Sequence, residues 1–478
     1  MKRTLVCFLL VFVVVGALYA QEATYVSGGT AREMALGGNP NNPYLMDYTD
    51  VLTNPAWASK YADMIYSELG YNFGAFSASQ QTAGFTYAVS KGFAIGLAVG
   101  YQEGPMFSQN SFGGEFAGTT TGTVQHTIDV TNSDYLLGGV LGAMNLYGAG
   151  GLTLSSATWR PLQLYTAFKL GGLSVGAGIY RVGWSGKQDR NTGNPATNEV
   201  DEVSFTQTGF KLGTLIDMDA SLLDVSALFR LNTGDGKATP PGVTSTELSV
   251  TGTEFDVNAR WFIKFTDKFS LIPMVRFYTF GYEPELSEPL PANTALDAKP
   301  DKYGHTEFEG GVGTNIALNG GKIFGGLSFE SISLDHEHTV FTSGAGVTAA
   351  AGTPTATTKY TATVTALPKL NLGAEFEIAS WLTGRLGYFK SFASIDWTYE
   401  PPSPARQEEN SQTFDFQFMP PYNTSAAQQL LSVGLGLHFG RLSFDGYLTE
   451  EWLADGPYVV SGAPNPMFGV LSVSYNFQ

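Results

Sequence analysis

The sequence predicts an all-β protein: a transmembrane, antiparallel, up-and-down β-barrel of 14–16 strands preceded by an N-terminal plug segment. Three observations carry this. The 478-residue chain is 43% hydrophobic yet only 14% charged, with 57 glycines and 13% aromatics, so it matches neither an ordinary soluble domain nor a disordered chain. Stretches of about ten residues repeatedly alternate between an apolar and a mixed polar face. Short turns alternate with long polar connections, as they do in a meander that keeps one side small. A bundle of membrane helices would need repeated apolar runs of about 18 or more residues, whereas the continuous apolar run here is Leu5–Ala17.

That run follows Lys2 and Arg3 and is followed by Gly16, Ala17 and Ala20, the pattern of a secretory signal peptide. Cleavage fits after either Ala20 or Ala17, and residues 1–20 are taken as the signal. The single cysteine, Cys7, lies inside it and too early for a lipoprotein site. A mature chain without thiols excludes disulfide frameworks, thiolate metal sites and cysteine nucleophiles.

Residues 21–62 show no alternation. They carry Gly28–Gly29, Gly37–Gly38, Pro40, Pro43 and Pro55, with helix-compatible pieces near Thr30–Leu36 and Asn54–Tyr61. This composition suits a compact plug rather than a strand or a tail.

From residue 63 to the end the two-residue period dominates. Phe255, Val257, Ala259, Trp261, Ile263 and Phe265 share one face, against Asp256, Asn258, Arg260 and Lys264. Leu223, Val225, Ala227, Phe229 and Leu231 oppose Asp224, Ser226 and Arg230, and the same holds around Leu370–Ile378 and Leu431–Phe439. Tight turns are expected at Ser90–Gly92, Gly171–Gly172, Asp217–Asp219, Thr266–Lys268, Asn319–Gly321, Ala379–Ser380 and Gly440–Arg441. The longer connections include Gly186–Glu202, Glu283–Tyr303, Asp335–Tyr360 and Glu400–Thr424. The strands between them number about sixteen, an even count that leaves both termini on the turn side. Residues 103–157 form one long outer loop or hide a hairpin near Tyr135–Tyr147. The final strand, Met467–Phe477, ends in aromatics suited to recognition by the barrel-insertion machinery.

Charges of both signs fall on the inner face: Asp256, Arg260, Lys264, Arg276, Glu307, Glu309, Glu330, Glu375, Glu377, Arg385 and Asp445. Facing lipid they would cost about 2–4 kcal/mol each near the midplane, so they must face the lumen. A short turn after Ala379 sets Glu375 opposite Arg385, a cross-strand ion pair. Gly96 and Gly100 are candidates for a strand kink.

Enzymatic signals are thin, and no enzyme, cofactor or metal is expected. His336 and His338, in Asp335-His336-Glu337-His338, have a spacing that can share a metal on a strand, or decorate a solvated loop. His438 with Ser443 and Asp445 resembles a hydrolase trio only in residue type, with no nucleophile elbow. A formal charge of −17 and the absence of basic stripes argue against nucleic acid.

The stretch Ala31-Arg32-Glu33-Met34-Ala35-Leu36-Gly37-Gly38, followed by Asp47–Leu52 and then Thr53-Asn54-Pro55-Ala56 just ahead of the first strand, resembles the N-terminal segment of the FadL/TodX family of outer-membrane transporters. It is similar also to PorV-like barrels of the type nine secretion system in the same superfamily. The resemblance covers about forty residues. It implies a barrel, usually of fourteen strands, in the outer membrane of a Gram-negative-type bacterium. The barrel would be closed from the periplasmic side by a hatch with Asn54, Pro55 and Ala56 as hatch residues and Arg32 packed with them, and the glycine kink would open a side portal. The partners implied are outer-membrane lipid and a hydrophobic small molecule such as a fatty acid. The PorV-like alternative implies a component of protein secretion, and a general porin is the third reading.

Overall fold

A computed structural model describes residues 28–37, 42–71, 80–100, 162–190, 199–239, 246–286, 299–340, 356–400, 408–414, 430–449, 452–453 and 467–477. The expected signal peptide and the 103–157 stretch lie outside these residues. No helix among them is long and apolar enough to cross a membrane.

The strands are β1 (Met64–Tyr71), β2 (Gln80–Ser90), β3 (Phe93–Val99), β4 (Leu162–Leu170), β5 (Leu173–Arg190), β6 (Glu199–Met218), β7 (Ser221–Thr239), β8 (Thr246–Thr266) and β9 (Phe269–Leu286). They continue as β10 (Lys299–Leu318), β11 (Gly321–Val340), β12 (Ala356–Ala379), β13 (Leu382–Glu400), β14 (Glu408–Phe414), β15 (Leu430–Phe439), β16 (Leu442–Leu448) and β17 (Phe468–Asn476). Each pairs antiparallel with its neighbour, and β1 pairs with both β2 and β17, with Met64 opposite Thr86 and Asn476. The sheet therefore closes on itself, as a barrel does to remove the edge strands of an open sheet. The lower part of β13, Leu382–Phe389, pairs with β15, while its upper part, Ala393–Tyr399, pairs with β14. β14 and β15 thus occupy one position in the ring, and the barrel has sixteen. Fourteen, implied by the family resemblance, is not the number found.

Two-residue turns join β2 to β3, β4 to β5, β6 to β7, β8 to β9, β10 to β11, β12 to β13 and β15 to β16. They fall where glycine, asparagine and aspartate cluster in the sequence, and Asp219 there takes a positive φ of 44°, which a short polar side chain tolerates. Large apolar side chains such as Leu164, Leu212, Phe255, Trp261, Leu327 and Leu372 point outward and are exposed. Near the turns the outer surface carries aromatic pairs, Phe93–Phe168, Phe265–Phe269, Phe439–Phe444 and Tyr475–Phe477. An apolar band ending in aromatics is the surface that a bilayer and its interface require.

On the opposite side the strands outrun the expected boundaries. β11 continues to Val340 and β12 starts at Ala356, inside the expected 335–360 loop, and β14 lies within the expected 400–424 connection. There the period-two signal of the sequence fades while the strand ladders continue.

Within the ring lies an inner segment, residues 28–37 and 42–63. It holds α1 (Thr30–Ala35), α2 (Asp50–Thr53) and a 3₁₀ turn, Pro55–Ser59. Its side chains are nearly all buried, and its contacts reach the inner faces of strands all around the ring.

Candidate functional site

The inner segment is held at several points, each by polar groups that would otherwise be buried without partners. On the β12–β13 side, Arg32 donates from Nε to Glu375 Oε2 (2.8 Å) and from Nη1 to Asp47 Oδ2 (3.0 Å) and the Met46 carbonyl (3.2 Å). Glu375 stands opposite Arg385 in the strand register and accepts from its Nε at 2.7 Å. Arg385 reaches on to Asp445 Oδ1 at 2.7 Å, whose other oxygen accepts from the Gly28 amide (3.1 Å). The chain Asp47–Arg32–Glu375–Arg385–Asp445 thus alternates in sign, which is what makes burial of five charges tolerable. The β17 and β15 walls add Ser472, accepting from the Ala31 amide (3.0 Å), and Ser432, donating to the Ala35 carbonyl (3.2 Å).

Across the lumen Asn54 is the pivot. Its Oδ1 accepts from the Ala56 amide at 2.9 Å, capping the 3₁₀ turn with Pro55 in first position. Its Nδ2 donates to Asp224 Oδ1 (2.5 Å) and the Val225 carbonyl (3.2 Å). Asp224 also accepts from Trp57 Nε1 (3.0 Å) and Arg260 Nε (2.9 Å), and Arg260 Nη2 donates to Asp50 Oδ1 (2.7 Å). Lys211 and Gln163 donate to the Leu52 carbonyl, the latter at 3.0 Å. Close approach is possible because the wall is bare there: a Cβ on Gly213 would lie 1.7 Å from Asn54 Oδ1, and one on Gly176 would lie 2.2 Å from the Ala56 nitrogen. Tyr44 uses a similar gap, with its ring in the space a Cβ on Gly313 or Gly326 would fill.

Arg32 and the Asn-Pro-Ala turn, expected to pack together, engage different walls. The arginine tied to Asn54 is Arg260, through the shared Asp224. Nothing local in the sequence connects Asp50, Asp224 and Arg260; alternation placed the last two on the inner face, but their partners come from the inner segment. Gly96 sits in unbroken register with Thr86 and Tyr165, and the absent Cβ leaves room for the Tyr165 ring, 2.1 Å from where it would stand. β3 is regular there, without the expected kink; Gly100 follows its end with φ +79°.

The acids of the inner segment lie close together. Burial pushes the Asp50 carboxyl up to about 6, with Asp224 adding to the rise against the pull of Arg260. Burial also raises Glu33 well above the usual carboxylate range, with Asp47 and Asp50 adding; Thr49 Oγ1 donates to it at 3.0 Å.

Alongside these contacts the segment and wall share an apolar cluster that includes Tyr48, Val51, Leu52, Trp57, Tyr66, Tyr165, Phe262, Ile272 and Met274. Away from the turns the wall is ionic. Arg276 pairs with Asp256 and Glu307, both at 2.9 Å, and Lys369 with Glu309 and Glu330, both at 2.9 Å. Arg230 pairs with Glu254, which also accepts from Gln207 (2.8 Å) and Asn232 (2.7 Å). Lys369 reaches the lumen because a register shift between Ala366 and Lys369 switches which residues of β12 face inward; Pro368 is the sequence signal for such a bulge.

Among the described residues, His438 bonds to neighbouring hydroxyls rather than to Asp445. His438 Nδ1 lies 3.2 Å from Ser443 Oγ and Nε2 lies 3.0 Å from Thr383 Oγ1, while Asp445 is committed to Arg385 and Gly28. The side chains of His336 and His338 lie outside the described residues.

No family model matches the chain and no curated protein matches it. Among solved structures it is similar to a FadL homologue of Pseudomonas aeruginosa, at 12% identity over 96% of this chain and 100% of that one, with a TM-score of 0.39. It is similar to the monoaromatic hydrocarbon channel CymD at 10% identity, covering 95% and 99% of the two chains, TM-score 0.33. The ferric-catecholate import receptor Fiu of E. coli is similar at 10% identity over 87% and 81%, TM-score 0.35. At these values the barrel assignment rests on its own strand order and closure.

Proposed function

We propose that the protein is an outer-membrane transport barrel in which the inner segment closes the lumen and must shift for cargo to pass, with hydrophobic compounds such as long-chain fatty acids as the cargo class. The observation that carries this reading is the seating of the segment. It is tied to opposite walls by polar contacts, and it packs against an apolar, aromatic-rich wall sector that its displacement would expose to a hydrophobic ligand. Its location in an outer membrane accords with the apolar outer band, the two-residue turns and the N-terminal export signal expected from the sequence.

The ionic wall farther from the turns favours a second reading, in which the barrel serves as a PorV-like component of protein secretion and never conducts a ligand. Binding of a radiolabelled long-chain fatty acid to the purified protein separates the two, measured with the intact chain and with residues 21–60 removed. Saturable binding that changes with removal of the segment supports transport. Absence of binding by both forms overturns it.

A further inference from the structure

Glu33 of α1 is buried beside two other acids of the inner segment, Asp47 and Asp50, and of the three it alone has no base among the described residues. Its exposure is 4%. Thr49 Oγ1 lies 3.0 Å from its Oε1, and its Oε2 is buried without a hydrogen-bond partner. The two arginines nearby are each divided between an acid of the segment and an acid of the wall: Arg32 holds Asp47 and Glu375, and Arg260 holds Asp50 and Asp224. An ionised Glu33 would add one more negative charge to these four acids with a single hydroxyl to stabilise it, which burial penalises heavily. The walls packed on α1 do not supply the missing charge. Arg385 of β13 lies between Glu375 of β12 and Asp445 of β16, and β16 adds the neutral Tyr447. His438 of β15 bonds to the hydroxyls of Thr383 and Ser443. Glu68 of β1 is one more acid, accepting from the hydroxyls of Tyr48 and Ser472.

The hydroxyl between the acids points the same way. Thr49 Oγ1 stands 3.0 Å from Glu33 Oε1 and 3.5 Å from Asp47 Oδ1, so one hydrogen faces two acceptors. A proton on Glu33 Oε1 supplies the second: Oε1 then donates to Thr49 Oγ1, and Thr49 turns its own hydrogen to Asp47. Asp47 in turn holds Arg32 and accepts from the Gly29 amide at 2.6 Å. The proton therefore sits at the head of the chain that runs through Arg32, Glu375, Arg385 and Asp445 and ties α1 to the wall.

We infer that Glu33 is a proton-operated latch, carrying a proton while the inner segment is seated and freeing α1 from the β12–β17 walls when it ionises. This rests on the reading of the segment as the closure of the lumen and adds what governs that closure. Burial holds the Glu33 carboxyl well above the usual carboxylate range, with Asp47 and Asp50 adding and Thr49 and Arg260 opposing. The seat is thus complete below the group's ordinary value of 4.5. It weakens as pH rises toward the raised value, by up to about tenfold per pH unit.

Backbone hydrogen exchange of the full-length protein in detergent tests this, read by peptide mass spectrometry at about pH 5.5 and about pH 8 and corrected for intrinsic rates. Amides of residues 31–36 should lose protection by about tenfold or more at the higher pH, while those of residues 209–216 in β6 keep theirs. Glu33→Gln, which retains a donor for Thr49 and cannot ionise, should keep the low-pH protection at both values. Heat-modifiable electrophoretic mobility verifies that the variant is a folded barrel. Should it fail to fold, the unaltered protein decides: faster exchange confined to 31–36 at high pH supports the latch, and any other pattern overturns it. Protection of 31–36 that is equal at the two pH values or greater at the higher one, an equal loss in β6, or an undiminished pH response in Glu33→Gln each overturns the inference. Exchange reports seating whatever the barrel carries, so a failure to bind fatty acid overturns the transport reading alone.

Discussion

Arg32 and Glu375 are 343 residues apart in the chain and 2.8 Å apart in the lumen, where the guanidinium Nε donates to the carboxylate. The bond joins the inner segment to the β12–β13 wall, and Glu375 holds Arg385 at the same time. Truncating one member of such a buried pair leaves the other charge without its compensation, at about 3–5 kcal/mol. Arg32→Ala is therefore expected to loosen the segment while the barrel itself survives. In planar bilayers the variant should open more often than the unaltered protein. Identical conductance would show that this bond does not hold the lumen closed.

Asn54 and Asp224 form the opposing attachment. Asn54→Ala removes a cap, worth about 1 kcal/mol, and one donor to Asp224. Asp224→Ala removes an acceptor from Arg260, Trp57 Nε1 and Asn54 together and should cost more. The two share a contact, so their effects on the thermal midpoint should fall short of additivity, with a coupling of about 0.5–3 kcal/mol in a double-mutant cycle. Strict additivity would mean that the two residues are not linked in the folded protein.

Glycine positions on the wall give a steric test. Gly213→Ala would put a Cβ 1.7 Å from Asn54 Oδ1, whereas at Gly310 the nearest atom is 3.6 Å away. The first substitution should displace the 3₁₀ turn and lower the midpoint, and Gly310→Ala should be nearly silent. Equal behaviour of the two would contradict the close seating of Asn54.

The acids of the segment predict a pH dependence. Asp50 rises on docking from an ordinary 3.8 to about 6, so the docked state binds more protons over that interval. Its contribution is then complete below about pH 4 and is lost as pH rises through about 6, by at most ~1.4 kcal/mol per pH unit. Glu33, raised by the same burial, acts in the same direction. Bilayer opening should become rarer as pH falls from 7 toward 5, and Asp50→Asn should flatten that response. More frequent opening at low pH would reverse the assigned sign.

On the outer surface, Trp261→Arg sets a charge among lipid-facing side chains, at a cost of up to about 2–4 kcal/mol depending on depth. The expected readout is a lower yield of heat-modifiable barrel. A change at Lys264, an exposed residue of the inward-facing set near the turns, should leave that yield unaltered.

Much of this architecture was legible in the sequence, because a strand writes its two environments into alternate residues. Alternation sets Asp256 and Arg260 on the face opposite Phe255 and Trp261 and Asp224 on the face opposite Leu223 and Val225, and the two-residue turn after Ala379 sets Glu375 against Arg385 through register alone. What sequence could not supply falls into two kinds. The polar extensions, such as Glu408–Phe414 in β14, show no apolar alternation in their sequence, and the bulge at Pro368 reverses parity, with Lys369 on the lumen side. The second kind is long-range: Arg32 with Glu375, Asp50 with Arg260, Asn54 with Asp224. Alternation is a local property carried two residues at a time. Which inner faces meet across the lumen depends on ring closure between β1 and β17, and only the closed barrel decides that the segment ahead of β1 lies among charges from strands hundreds of residues away.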